Sequence, residues 1–348
     1  VCCGRPRKPA ARRVKLFQQT RRQSMIALYP LRFHPIYKEY MWGGRRFGPI
    51  LGRDLAPDKI YAESWEIADH PQGRSTVAAG PLRGESLSDL IAGRGPAILG
   101  RHGPMPRFPL LLKYLDAQAP LSLQVHPDDR LAAEMGLSDP GKTEAWFVLD
   151  AQPGSLLWAG LAEPIDRATV EKALLRGEIE RLLHRVEPSP GDCLLIPAGT
   201  VHALGAGLLV AEIQQMSDNT FRLSDWDRVG PDGKARQLHL EQGLRAIDYG
   251  RGPIEPTRGR PAGRPGVTRL AECDQFVLEL WQLEEEGQIG GSGGCVIVTV
   301  VEGQIEIEGD VVPPLRLGET ILLPACCGPL RISPLGAAAA RFLAAQLP

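Results

Sequence analysis

The chain has no apolar run approaching the ~18 residues that would cross a bilayer, so nothing in it reads as a membrane-spanning helix. It has no excess of either charge. Lys+Arg number 40 against 41 Asp+Glu, a net charge of -1, which argues against the phosphate backbone of a nucleic acid as the main partner. Cysteine is sparse and poorly spaced: the seven residues Cys2, Cys3, Cys193, Cys273, Cys295, Cys326 and Cys327 include no C-x-x-C pair, so they form neither a zinc-finger pattern nor a disulfide framework. With no apolar secretory segment in view, a reducing cytoplasm is the expected home.

The first 24 residues lack acid altogether and carry Arg5, Arg7, Lys8, Arg12, Arg13, Lys15, Arg21 and Arg22. They read as a disordered basic leader (1–24) before Met25, although a basic arm could also touch nucleic acid. Without it Lys+Arg falls from 40 to 32 and the net charge moves from -1 to -9.

What the chain does have in quantity is turn punctuation, with 39 Gly and 31 Pro among 348 residues. At roughly 150 residues per domain this length accommodates about two domains. Segments rich in Leu, Val and Ile, bounded by Pro, Gly or Asp, predict strands at 110–115, 121–125, 144–149, 155–159, 193–196 and 208–214. Further strands are expected at 276–283, 295–301, 304–308 and 320–324. Helical patterns are few: 128–135, opened by two acids; 165–186, split near Gly177 into two short helices; and 238–247. Residues 251–265 are Gly/Pro/Arg-rich and read as a linker.

One internal repeat sets the architecture. Gly191-Asp192-Cys193-Leu194-Leu195-Ile196-Pro197-Ala198 recurs as Gly318-Glu319-Thr320-Ile321-Leu322-Leu323-Pro324-Ala325, on either side of the linker. This predicts a mainly β protein of duplicated jelly-roll barrels with a few short helices. The copies then diverge, because His202 lies five residues after the first proline and Pro329 five after the second. Chemistry is therefore expected in a metal-binding domain at 25–250, and the second β domain at 266–348 is expected to lack the ligands.

The run from Gly191 to His202 has the form G-x5-P-x-G-x2-H and resembles the second cupin signature, with Pro197 and Gly199 shaping a turn before the imidazole. In Gln124-Val125-His126 the two polar side chains share one face of a strand. Gly141-Lys142-Thr143-Glu144 places a carboxylate at the start of another strand. Two His, one Glu and an amide oxygen make a site for Zn2+ or another divalent ion, with positions left open for substrate or water. Cations gather nearby. Lys113 interrupts an apolar run where an unpaired ammonium would be costly, Lys142 is two residues from Glu144, and Arg222 and Arg228 belong to one segment. Such a cluster fits a phosphate.

Taken together, Tyr40-Met41-Trp42-Gly43-Gly44, Glu63-Ser64-Trp65-Glu66-Ile67, Q-x-H-P-D, K-x-E, P-A-G-x-x-H and S-D-N-x-x-R resemble the type I mannose-6-phosphate isomerases of the cupin superfamily, in that family's order. The spacings of 18 and 58 residues between His126, Glu144 and His202 match the short bacterial class, which has no helical insert. The resemblance implies zinc, one ion per chain, on Gln124, His126, Glu144 and His202, with Arg222 as catalytic arginine. It implies Lys142, Lys113, Ser122, Glu212, Asp218 and Arg228 around a sugar phosphate, with Lys142 or Glu212 as the base of an aldose-ketose isomerisation. Thr143 departs from the proline usual in that family. Two rival readings of the residues are a cupin Fe(II) oxygenase, from the two-His, one-carboxylate set, and a non-catalytic sugar-phosphate-binding cupin.

Overall fold

Short strands separated by Gly and Pro fold into two halves of one plan, in a computed structural model that describes residues 26–230, 233–336 and 339–348. The basic segment at 1–24 lies outside the described residues. In the first half a six-stranded antiparallel sheet runs in the order Cys193–Ile196, Glu144–Ala151, Leu208–Gln215, Leu110–Ala117, Glu63–Ile67, Ile36–Lys38. A five-stranded sheet accompanies it, ordered Leu183–Val186, Leu157–Leu161, His202–Leu204, Leu123–Val125, Phe221–Ser224.

The second half repeats this order in both sheets, lacking only a counterpart to Phe221–Ser224. Its large sheet runs Thr320–Leu323, Val296–Glu302, Ala340–Gln346, Val277–Leu283, Val267–Glu272, Arg260–Pro261, and its small sheet joins Leu315–Arg316, Gln304–Ile307, Pro329–Pro334 and Gly287–Gly290. The fold is a duplicated jelly roll. Register makes the correspondence residue-specific. Ile196 pairs with Glu144 in the first half, and its repeat counterpart Leu323 pairs with Val296 in the second. The second half thus has Val296 where the first has Glu144, and Pro329 where the first has His202.

Alternation along the strands sorts side chains between two cores. From Leu208–Gln215, Leu208 and Val210 pack inward with Leu115, Trp146 and Leu204, while Leu209, Ala211 and Ile213 face outward. That outer face shares one core with Leu278, Ile297, Leu322 and Leu343, so the two large sheets lie back to back. The buried Tyr114 hydroxyl crosses this junction to Thr299 Oγ1 at 2.5 Å. Leu31–Arg32 adds an edge strand to the second half's large sheet, Leu31 pairing with Leu322.

Helices cap the first half. Asp128 accepts from Leu131 N at the start of Asp129–Glu134, and Asp166 does the same for Thr169 N at Arg167–Leu175. The expected second helix before residue 186 is instead a turn of 3-10 helix, Ile179–Leu182, followed by strand Leu183–Val186. Pairing with Leu157–Leu161 outweighs the local helical pattern there. Helix Leu87–Leu99 was not legible in the sequence, because Gly93, Gly95 and Pro96 break its pattern and Arg94 leaves helical geometry at φ −143°. The stretch 251–265 crosses between the halves in extended form, with Thr257 exchanging backbone hydrogen bonds of 2.8 Å with Cys193.

Candidate active site

The inward faces of the first half's two sheets carry the polar side chains. On the large sheet Glu212 sits in register between Lys113 on one neighbouring strand and Trp146 on the other, and Gln214 pairs with Glu144. On the small sheet Gln124 pairs with His202 on one side and Arg222 on the other, so three adjacent strands present an imidazole, an amide and a guanidinium in one row. His126 follows two residues after Gln124.

His126, Glu144 and His202 converge, with one ligand atom from each lying within 4.8 Å of the others. Glu144 Oε2 is 3.4 Å from His126 Nε2 and Glu144 Oε1 is 3.3 Å from His202 Nε2. Each imidazole is aimed by its other nitrogen. His126 Nδ1 is 2.8 Å from the Asn219 carbonyl and His202 Nδ1 is 2.9 Å from the Thr200 carbonyl, which leaves Nε2 as the lone pair facing inward. His126 Nε2 and Glu144 Oε2 are buried without a hydrogen-bond partner. Two desolvated donor atoms that make no hydrogen bond, Glu144 Oε2 having only the Lys142 ammonium 3.2 Å away, face one point and suit a divalent cation. Gln124 lies 3.2 Å from His202 Nε2 through its amide, whose half-turn brings Oε1 to the same place.

The electrostatics keep the ligands competent. Burial first, then the Lys142 ammonium, hold His126 down to about 3, and burial likewise lowers His202, so both imidazoles are neutral at physiological pH. Burial by itself would raise Glu144, but the Lys142 ammonium, 3.2 Å away, outweighs it and holds the carboxyl well below the usual carboxylate range. Glu212 behaves differently. Burial and the Glu144 charge push it up to about 7, against the attraction of Lys113 and Lys142. Lys113 is desolvated too, yet Glu212 at 3.2 Å and Glu63 at 3.8 Å raise it and keep it protonated.

These groups adjoin a pocket of about 310 Å³. Lys113, Ser122, Gln124, Lys142, Glu212, Asp218 and Arg222 all line it. His126, Glu144 and His202 lie behind Gln124 and Trp146, whose ring meets His202 edge-on at 5.4 Å. Arg228 is not among the lining groups, since its guanidinium donates to the Pro120 carbonyl and, at 2.6 Å, to Asp225 Oδ1. The sequence reading missed Arg236, which does line the pocket, and Asp139. Asp139 accepts from His70, Arg107 and the Asp218 amide, while its carbonyl and that of Pro140 hold the Asn219 side chain. Arg236 falls in a polar loop with no periodic pattern to mark it.

Local sequence explains how the ligands are held. Gly199 has φ +88°, and a Cβ there would meet Asp248 and the Ala246 carbonyl at 3.1–3.2 Å, so the turn before His202 favours glycine. Thr143, in the unusual position beside Glu144, accepts from Ala198 N through Oγ1 at 3.2 Å and ties the Glu144 strand to that turn.

Comparison with known proteins places this site in a family. The model of the phosphomannose isomerase type I catalytic domain matches residues 31–146. The chain is 36% identical to mannose-6-phosphate isomerase ManA of Bacillus subtilis over 309 residues, 87% of this chain and 95% of that one. It belongs to the type I phosphomannose isomerase family. A solved mannose 6-phosphate isomerase from B. subtilis superposes with a TM-score of 0.83 at 30% identity, covering 91% of this isomerase and 99% of that chain. Another solved mannose 6-phosphate isomerase, bound with zinc and yttrium, shares the fold at 20% identity with a TM-score of 0.72, over 92% of this chain and 100% of that one.

Proposed function

We propose that this phosphomannose isomerase interconverts mannose 6-phosphate and fructose 6-phosphate, with Gln124, His126, Glu144 and His202 holding Zn2+. The observation that carries the reading is the buried His126–Glu144–His202 cluster, with two unsatisfied donor atoms, beside a pocket lined by Lys113, Lys142 and Arg222. When bound, the metal supplies a Lewis acid for the sugar carbonyl and for the charge of an enediolate. The remaining chemistry belongs to side chains. The C2 proton of the aldose must be lifted and returned to C1, while the hydroxyl proton moves between O2 and O1, and no redox cofactor is consumed. Glu212, poised near neutrality, and Lys142, beside Glu144, are the two groups placed to hold that proton. Lys113 neutralises the wall around Glu212, and Arg222 holds developing charge or the phosphate at the far end of the Gln124 row.

The oxygenase reading fits less well, since Gln124 supplies a fourth donor and the pocket is strongly cationic. The sensor reading does not account for a proton-holding carboxyl beside the ligands. The five cysteines from Cys193 to Cys327 are free thiols, which suits a reducing compartment, and we assign the enzyme to the cytoplasm. No helix among the described residues is long and apolar enough to cross a membrane.

A coupled assay on mannose 6-phosphate, with and without chelator, tests the activity. His202→Ala should lose metal and turnover together, and near-normal metal content and rate in that variant would refute the site. Loss of C2-proton exchange with solvent in Glu212→Gln but not Lys142→Met, at full metal content, identifies Glu212 as the base.

A further inference from the structure

Two strands from His202 along the row through Gln124, the pocket holds a charge imbalance of which the reaction chemistry uses Arg222 alone. Arg228 and Arg236 share a single buried carboxylate, Asp225, and Arg222 lies near them. Arg236 Nε is 2.8 Å from Asp225 Oδ2, Arg228 Nη2 is 2.6 Å from Oδ1, and a second Arg236 nitrogen also donates to Oδ1. Arg222 makes no contact with that acid. Its Nη1 donates to the Gln237 carbonyl at 2.9 Å, and its Nε is buried with no partner at all. Three guanidiniums against one carboxylate leave about two positive charges, the complement of the nearly two negative charges of a phosphate monoester at neutral pH. Burial, and after it the Arg236 and Arg228 cations, act against the charge on Arg222 more than Asp225 supports it, as expected where cations outnumber the anion they surround.

The three arginines are not equivalent. Arg228 is turned away, its other contact being the Pro120 carbonyl, whereas Arg236 and Arg222 both line the pocket. Asp225 grips Arg236 through Nε and one Nη, which fixes the plane of the guanidinium and leaves the other nitrogen for a ligand. The acids elsewhere in the lining do not compete for it: Glu212 and Glu63 face Lys113, and Asp218 accepts from Gln72. Position fits as well. Arg222 lies two strands from His202 in the row through Gln124, roughly 10 Å at the usual strand spacing, so one extended six-carbon chain can have its carbonyl at the cluster and its phosphate at the arginines.

We propose that Arg236, with Arg222, clamps the substrate phosphate, and that Asp225 is the positioning residue that presents Arg236 to it. This rests on the sugar-phosphate reading of the pocket. Two separate measurements on the metal-loaded, full-length enzyme test it: calorimetric binding of inorganic phosphate, which needs no turnover, and steady-state kinetics on mannose 6-phosphate. Arg236→Gln should weaken phosphate binding and raise KM by about tenfold or more, the loss of a charged hydrogen-bond pair, with kcat within about threefold and metal content unchanged. Asp225→Asn, nearly isosteric, should raise KM in the same direction by a smaller factor, and Arg236→Lys should recover only part of the loss because the fork geometry is gone. Phosphate affinity and KM unchanged in Arg236→Gln, or a fall in kcat at constant KM, overturns the assignment. If wild-type enzyme binds phosphate through Arg236 yet does not turn over the sugar phosphate, the anchor stands and the isomerase reading fails instead.

Discussion

Replacing Lys113 with Met puts the charge balance of the pocket wall to a quantitative test. The Lys113 ammonium is buried, 3.2 Å from Glu212 Oε1 and 3.8 Å from Glu63 Oε2. Methionine keeps much of the volume and removes the charge. In the wild type, burial and Glu144 raise Glu212 to about 7, well above the unfolded glutamate value of about 4.3. Between those two values the folded protein holds a proton that the unfolded chain has released, so this group makes stability fall as pH rises through the window from about 4.3 to 7. Without Lys113 the carboxyl is pushed higher still, and the fall continues past neutrality at about 1.4 kcal/mol per pH unit. The variant should therefore cost about 1 kcal/mol near pH 5.5, where Glu212 is protonated in both proteins. Near pH 8.5 it should cost about 3–5 kcal/mol, the range for a buried pair stripped of one partner. Urea unfolding of the metal-free proteins at both pH values reads the difference, and Lys113→Met/Glu212→Gln should recover most of the loss at high pH. A penalty independent of pH, or a double variant no more stable than the single one, would refute the reasoning.

Asp139→Ala removes the carboxylate that accepts from the Asp218 amide, while the main-chain carbonyls of Asp139 and Pro140 still hold Asn219, so the loop whose carbonyl aims His126 should loosen and metal affinity fall about tenfold in a chelator competition. Metal affinity equal to wild type would show that the loop needs no such brace. Tyr114→Phe removes a hydroxyl from the junction between the halves while Thr299 keeps its 2.7 Å bond to Thr320, so the expected cost is only about 1 kcal/mol in unfolding free energy from urea titration. A loss above about 3 kcal/mol would mean that the junction depends on more than this bond.

The strand Cys193–Ile196 could be read from sequence to the residue, because an apolar run is fenced by Gly191 and Pro197. The repeat gave the duplication for the same reason. Helix Leu87–Leu99 could not be read, since its burial of Leu87, Leu90, Ile91 and Leu99 against the sheets compensates for two glycines and a proline that count against a helix locally. At the site, the residue types and their spacing were legible, but the convergence of Glu144 with two imidazoles depends on register between strands far apart in sequence. Arg228 shows the limit of a motif. The backbone between it and Arg222 turns through Trp226 and Asp227, both at positive φ of 57° and 54°, and carries the guanidinium round to Pro120 and Asp225. Arg236 had no local signature because its meaning comes from Asp225, on the far side of that turn.

The strand Leu31–Arg32 ties the start of the described chain to its last sheet, and Arg32 bonds to Asp310 and Glu319 across the same seam. The two jelly rolls are thus not beads on a string, although the extended crossing at 251–265 invites cutting them apart. A fragment beginning after that crossing would leave Thr320–Leu323 as a bare apolar edge, open to pairing with any neighbouring copy. The second half therefore relies on Leu31–Arg32, from the start of the described chain, to cover that edge, and expressed alone it should self-associate.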